Sequence, residues 1–305
     1  MLRNHPPVRW RTRTALSRFL CSIPYRHGCS PTVRVPLLKK RMGHSANTKT
    51  DRALSASADS KAENGLQNRL LLSIPAAERE LLKAHLERYR FRAREVLHEP
   101  HARLKYAYFP DDGVISLVVT TEDGSTVEAA MVGREGLAGI AGAVGINRSP
   151  LRQMVQITGE GHRIKAEALA LFLESAPRFQ AAICRYAVVM GMQMAQTAAC
   201  NRLHDVAQRL TRWLLMARDR ADLSLFPIAH DFLAAILGTD RPSVSLAAQM
   251  LQKKGIIDYK RGKIVILNPR KLESASCECY RVIRVFAENS GKPRAKSTGG
   301  PAGFA

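Results

Sequence analysis

From the N-terminal side, apolar residues first recur regularly at Leu70, Leu71 and Ile74 and then at Leu81, Leu82 and Leu86, which predicts helix over Leu66 to Leu86. The period then shortens. Tyr106 to Phe109, Val114 to Thr120, Thr126 to Met131 and Met154 to Ile157 are short apolar or β-branched runs. Pro110-Asp111-Asp112-Gly113, Glu122-Asp123-Gly124-Ser125 and Gly159-Glu160-Gly161 punctuate them as turns. Regularly spaced short strands predict a β-sandwich or barrel of about 100 residues. After Pro177 the spacing returns to three or four. Ile183, Ala187, Met190, Met194, Ala198 and Asn201 form a narrow seam that predicts a dimerisation helix. Met190, Met192 and Met194 lie together in it; such a group can line a ligand or metal site, but at helical spacing it more often serves core or dimer packing. Val206, Leu210, Trp213 and Leu214 then mark a connecting helix over Asp205 to Arg218.

Ile228 to Leu267 holds the most specific pattern. A short helix over Ala229 to Leu237 is stopped by Gly238, where a left-handed backbone is needed, and Thr239-Asp240 lead into a second helix opening at Arg241-Pro242. Val244, Ala247, Ala248 and Leu251 give that second helix an apolar stripe to pack on the first. Arg241, Ser243, Ser245, Leu246, Gln249 and Lys253 are left to face outward or sideways, a set able to touch phosphates, base edges and thymine methyls. After Gly255, two apolar runs flank Lys260-Arg261-Gly262-Lys263, a β-hairpin with a basic tip. A helix pair with a glycine between is also common in purely structural helical domains. Charge decides here: from Gly238 to Lys271 there are eight Lys or Arg against two Asp, concentrated at the helix end and the hairpin tip. Such a unit attracts a phosphate backbone, so the pattern predicts a winged helix-turn-helix bound to double-stranded DNA.

The formal net charge of +21 is unevenly spread. Residues 1 to 50 contain eleven Lys or Arg and no acid, whereas Leu66 to Ala176 carries fourteen of each sign. The first 65 residues mix Pro, Arg, Ser and Thr without periodicity, as a disordered arm does. This arm has the composition of an organelle transit peptide; alternatively, translation starts at Met42. No apolar run reaches the length of a membrane span, the longest being Ala187 to Met194. Six cysteines stand at 21, 29, 184, 200, 277 and 279 with no repeated CxxC and no paired His at zinc spacing, so no metal site is expected, Cys277-x-Cys279 being weak by itself. Free thiols suit a cytoplasmic protein. GxSxG, HExxH and a phosphate-cradling glycine loop are all missing, and Glu135 or Asp111 alone makes no catalytic set. The expectation is therefore a protein that is not an enzyme and holds no cofactor.

Tyr108-Phe109-Pro110-Asp111-Asp112-Gly113-Val114-Ile115-Ser116, Val132-Gly133-Arg134-Glu135-Gly136, Leu237-Gly238-Thr239-Asp240-Arg241 and the wing Tyr259-Lys260-Arg261-Gly262-Lys263-Ile264 together resemble the Crp/Fnr family of bacterial transcription regulators. The resemblance runs from about Leu66 to Glu288. It implies an α+β chain with an N-terminal cyclic-nucleotide-binding-like jelly roll, a long dimerisation helix and a C-terminal winged helix-turn-helix. The expected divisions are a basic arm (1–65), a sensor domain (66–176), the dimerisation helix (177–203), the DNA-binding domain (204–288) and a tail (289–305). It further implies a homodimer on a two-fold symmetric operator, with RNA polymerase as a partner if the protein activates transcription.

Departures from the family pattern bear on the ligand. Members that bind cyclic nucleotide carry a Gly-Glu pair and, later, an arginine that neutralises the cyclic phosphate. Those positions fall here at Gly139-Ile140 and at Leu151-Arg152, with Arg152 one place out of register. A phosphate there would be desolvated without compensation, so the pocket is expected to be degenerate and the effector is unknown. Iron–sulfur members use an N-terminal cysteine cluster, and only Cys21 and Cys29 precede Cys184. His85, His98, His101 and His162 are expected at the surface. In the best-known members, the residue after the opening arginine of the recognition helix is a glutamate, with a second arginine four further on; Pro242 and Leu246 stand here. A different half-site follows. The competing reading is a non-specific architectural DNA-binding protein, which accounts for the charge but not for the neutral middle of the chain.

Overall fold

The computed structural model describes residues 65–290; the basic arm and the chain beyond Ser290 lie outside the described residues. The first apolar stretch is two helices, α1 (Arg69–Leu72) and α2 (Ala76–Lys83), instead of one. Pro75 explains the break, because its ring disfavours helical geometry at Ile74. Leu70, Leu71, Ile74 and Leu82 turn inward while Leu81 faces solvent.

Seven strands follow: β1 (Glu87–Phe91), β2 (Val96–His98), β3 (Tyr106–Pro110), β4 (Val114–Thr120), β5 (Thr126–Val132), β6 (Arg152–Ile157) and β7 (Gly159–Lys165). They form two antiparallel sheets, ordered β1-β7-β3 and β2-β6-β4-β5. The short helix α3 (Ile140–Ala143) lies between β5 and β6. Gly159-Glu160-Gly161, expected as a turn, is instead the start of β7. Its glycines serve close approach: a Cβ on Gly161 would collide with the Phe109 carbonyl, and one on Gly159 with Asp112. His98 and His162 are buried rather than at the surface, unlike exposed His85 and His101. His162 Nδ1 lies 3.2 Å from Asp111 Oδ2.

Helices α4 (Ala166–Ser175) and α5 (Pro177–Leu203) close the roll. Its interior packs Phe91, Phe109, Ile115, Leu117, Val132, Val155 and Ile164 against Phe179, Ile183, Tyr186 and Met190 of α5. On the other side of the four-stranded sheet, Val114, Met131 and Ile157 pack into a second core built around α6 (Val206–Ala221). β4 is thus covered on both faces, which is why its sequence is a nearly unbroken apolar run.

The remaining elements are β8 (Leu225–Phe226), α7 (His230–Leu237), α8 (Arg241–Lys253), β9 (Ile257–Lys260), β10 (Lys263–Ile266), α9 (Pro269–Ser274) and α10 (Glu278–Ser290). Their sheet is ordered β8-β10-β9. Trp213, Leu214, Phe226, Leu233, Val244, Leu251, Ile264 and Tyr280 supply the second core.

The motifs that carry the family resemblance are joints. Asp111 Oδ1 accepts the backbone N–H groups of Gln67 and Asn68 at 2.8 and 2.7 Å. Buried Asn68 caps α1 and donates to the carbonyls of Pro110 and Gly136. Glu135 pairs with Arg220 of α6 at 2.9 Å, and Gly136 sits against the Tyr186 ring of α5, where a Cβ would run into the aromatic carbons. The roll is therefore fastened to both long helices through one short loop.

Candidate nucleic-acid interface

Gly238 ends α7 in the left-handed region at φ 60°, and Asp240 then caps α8 by accepting from the Ser243 backbone N–H at 2.8 Å. The backbone and side-chain donors of Ser243 hold the Asp240 carboxyl below its ordinary value. Arg209 of α6 donates to the carbonyl of Leu237 at 2.9 Å, fixing the last turn of α7. Val244, Ala247, Ala248 and Leu251 are buried as a stripe, which leaves Arg241, Leu246, Gln249, Met250 and Lys253 exposed along the other side of α8.

The two serines of the expected contact set are engaged inside the chain. Ser243 Oγ donates to Asp240 Oδ2 at 2.8 Å, and Ser245 Oγ lies 2.8 Å from His230 Nδ1. The His230 ring stacks on Tyr259 of β9 at 3.9 Å between centroids. His230 thereby joins α7, α8 and the wing, a role that periodicity does not reveal. Burial, with Arg241 second, lowers its pKa. Arg241 itself lies 3.4 Å from Asp231, and both side chains are largely exposed, so the pair contributes little and exchanges readily for a phosphate or a base.

The hairpin turns on Arg261 and Gly262, both with positive φ (51° and 74°), while Lys260 and Lys263 stand opposite each other in register. Two positive φ values give the hairpin turn whose twist matches its strands. Like charges directly opposite are unfavourable. Among the described residues no acid pairs with Lys253, Lys260, Arg261 or Lys263. This tip is a cation cluster without a counter-charge among the described residues, the electrostatic counterpart of a phosphate backbone.

The expected dimer seam is divided by the fold. Ile183 and Met190 point into the β-roll core, Met194 and Asn201 are half-buried, and only Ala187 and Ala198 face outward. The outward face of α5 carries instead Cys184, Val188, Gly191, Ala195 and Ala198 at alternating spacings of four and three.

At the expected pocket, Gly139 has φ 85° and caps α3, and a Cβ there would stand 2.8 Å from the Tyr106 carbonyl. Ile140 and Leu151 pack partly against the roll's apolar core. Arg152 is tied to Glu99 at 2.9 Å.

A side-chain group that the sequence left scattered comes together at the end of α5. The donor atoms of Cys200, His204, Cys277 and Cys279 all lie within 4.8 Å of one another. The only sequence signal was Cys200-x-x-x-His204 at a helix end beside Cys277-x-Cys279.

The profile of the Crp-like helix-turn-helix domain matches residues 208–275. No curated protein sequence matches the chain. Among solved structures, FixK2 from Bradyrhizobium japonicum is similar at 15% identity, covering 63% of this chain and 98% of that one with a TM-score of 0.54. The c-di-GMP responsive global regulator CLP of Xanthomonas campestris is similar at 19% identity, covering 63% and 99%, with a TM-score of 0.53. A CRP-family transcriptional regulator from Thermus thermophilus follows at 17% identity, covering 62% and 96%, with a TM-score of 0.51. At these identities the likeness establishes the fold. No helix among the described residues is long and apolar enough to cross a membrane. The chain thus carries a Crp-like helix-turn-helix domain over residues 208–275, joined to a β-roll in a fold shared with these solved structures.

Proposed function

We propose that the protein is a sequence-specific transcription regulator that binds DNA as a homodimer. The observation that carries this reading is the uncompensated wing tip beside an outward α8 face that offers one guanidinium, one amide and one branched apolar side chain. Arg241 suits a guanine edge or a phosphate, Gln249 an adenine edge, and Leu246 a thymine methyl. Lys253, Lys260, Arg261 and Lys263 hold the phosphate backbone, and Ser243 and Ser245 act by positioning α8.

Dimerisation through the outer face of α5 follows from Val188, which is 60% exposed, and from Gly191, which has open space around it. Small residues at 3.5-residue spacing let a second α5 approach closely. Two recognition helices are then presented to half-sites about 34 to 36 Å apart. Cyclic nucleotide is not the effector in this reading, because Ile140 and Leu151 belong to apolar packing and no carboxylate follows Gly139.

Sequencing the DNA fragments retained by the purified protein, followed by binding measurements across salt concentrations, tests the proposal. The expected result is a palindromic consensus bound at least about 10³-fold more tightly than random DNA. Equal affinity for both sequences with a steep salt slope would replace it with a non-specific architectural role.

A further inference from the structure

Cys200 stands in the last turn of α5, and His204 caps that helix with an extended backbone. Cys277 precedes α10 and Cys279 stands in its first turn, and α10 packs along α5. Cys200 Sγ and Cys277 Sγ are 3.6 Å apart, and Cys279 Sγ is 3.5 Å from His204 Nδ1. Bonds of about 2.3 Å to sulfur and about 2.0 to 2.1 Å to nitrogen around a tetrahedral ion require S···S edges of about 3.8 Å and S···N edges of about 3.5 Å. Both observed separations match those edges closely.

The surroundings fit a ligand set as well. His204 Nε2 lies 3.3 Å from Glu278 Oε2, the carboxylate–imidazole arrangement that fixes a ligating histidine's tautomer and ring orientation. Gln196 Nε2 donates to Cys279 Sγ at 3.1 Å, a contact that stabilises a thiolate. Buried thiols acting as small hydrophobes would be dispersed among aliphatic side chains, but these three cluster with one another. A Cys200–Cys277 disulfide would leave Cys279 and His204 without a purpose. A 4.8 Å spread of donors encloses one ion, whereas an iron–sulfur cluster spaces its cysteines more widely.

We propose that Cys200, His204, Cys277 and Cys279 form a closed mononuclear site for a thiophilic divalent cation of the zinc class, with Glu278 as its positioning residue. Four protein ligands leave no open coordination position, so the site is structural or regulatory and not catalytic. Binding releases the three thiol protons to solvent as the thiolates take up the cation. His204 lies at the joint between α5 and α6, and α10 belongs to the DNA-binding side of the chain. An occupied site staples that side to the end of the long helix. Its effect on the aim of α8 rests on the DNA-binding reading, but the site itself does not.

The test uses the full chain, reduced and freed of metal by chelator, with Zn(II) or Co(II) added alone and no DNA present. The expected result is uptake of one equivalent per chain. Co(II) should give the thiolate charge-transfer and visible bands of tetrahedral coordination, and Zn(II) should raise Tm. Cys277→Ser and Cys279→Ser should abolish equimolar uptake while Cys184→Ser, on the outer face of α5, keeps it. Glu278→Gln, at an exposed side chain, should weaken Zn(II) binding about 10- to 100-fold. Substoichiometric uptake by the folded reduced chain, uptake that survives Cys277→Ser, or an octahedral Co(II) spectrum would overturn the proposal. None of these readouts depends on DNA, so they stand or fall separately from the regulator reading.

Discussion

Glu128→Gln should stabilise the protein at neutral and alkaline pH, although it removes a charged residue. Glu128 is only 4% exposed on β5, facing α6, and its carboxyl is hydrogen-bonded to the Ser116 hydroxyl of β4. The nearby cations have other partners: Arg212 donates to Thr197 Oγ1 at 3.2 Å, and Arg220 pairs with Glu135. Burial outweighs the favourable contributions of Ser116, Arg212, Trp213 and Arg220 and pushes the carboxyl up to about 7 from its ordinary 4.5. Each tenfold change in proton affinity corresponds to about 1.4 kcal/mol, so ionised Glu128 costs the folded state about 3 kcal/mol. The sign follows from which state holds the proton more tightly. Below pH 4.5 both states are protonated and the stability is fully present; between 4.5 and about 7 only the folded state retains the proton, and stability falls as pH rises. Above that range the loss is complete. Urea unfolding followed by circular dichroism, at fixed protein concentration, measures the difference between variant and wild type at each pH and cancels the other titrating groups. The difference should be small near pH 4.5, grow toward pH 7 and then level off in favour of glutamine. A variant less stable than wild type at about pH 8, beyond the whole window of the shift, would show that Arg212 and Arg220 hold an ionised carboxylate, and would refute the reasoning.

Gly136→Ala should destabilise by about 1 to 3 kcal/mol, because the new methyl meets the Tyr186 ring; the double variant with Tyr186→Leu should recover part of the loss in the same unfolding assay. Val188→Glu should convert dimer to monomer in light scattering at micromolar concentration without lowering helix content, whereas an unchanged mass would remove the outer face of α5 as the interface. Arg241→Ala should cost about 1 to 3 kcal/mol on operator DNA and far less on random DNA, as fluorescence anisotropy would report. Lys260→Ala and Lys263→Ala should weaken both DNAs alike and flatten the salt slope, and equal losses for Arg241→Ala would reassign that residue to a phosphate.

Local chemistry made the DNA-binding end legible. Gly238 must be left-handed, Asp240 caps, Pro242 fits only the first turn of a helix, and Arg261-Gly262 turns a hairpin, so a few residues specify the elements without help from distant parts of the chain. The strand runs Val114 to Thr120 and Thr126 to Met131 were equally clear because both are apolar and bounded by turn residues. By contrast, β1 reads Glu-Arg-Tyr-Arg-Phe, where only Tyr89 and Phe91 mark an inward face among charged residues; its strand exists because β7 supplies a partner. Gly159 and Gly161 look like a turn and are strand residues because neighbouring backbone comes too close for any side chain. Helical spacing showed that α5 is apolar, but both of its sides are, one against the roll and one outward. Only packing against Phe109 and its neighbours decides that Ile183 and Met190 are core and Val188 is not. The Cys200, His204, Cys277 and Cys279 set lies at the far end of the same argument. Residue types and short spacings follow from the sequence by itself, whereas convergence across 77 residues requires α10 to fold back along α5, where Tyr280 and Ile283 are buried in the second core.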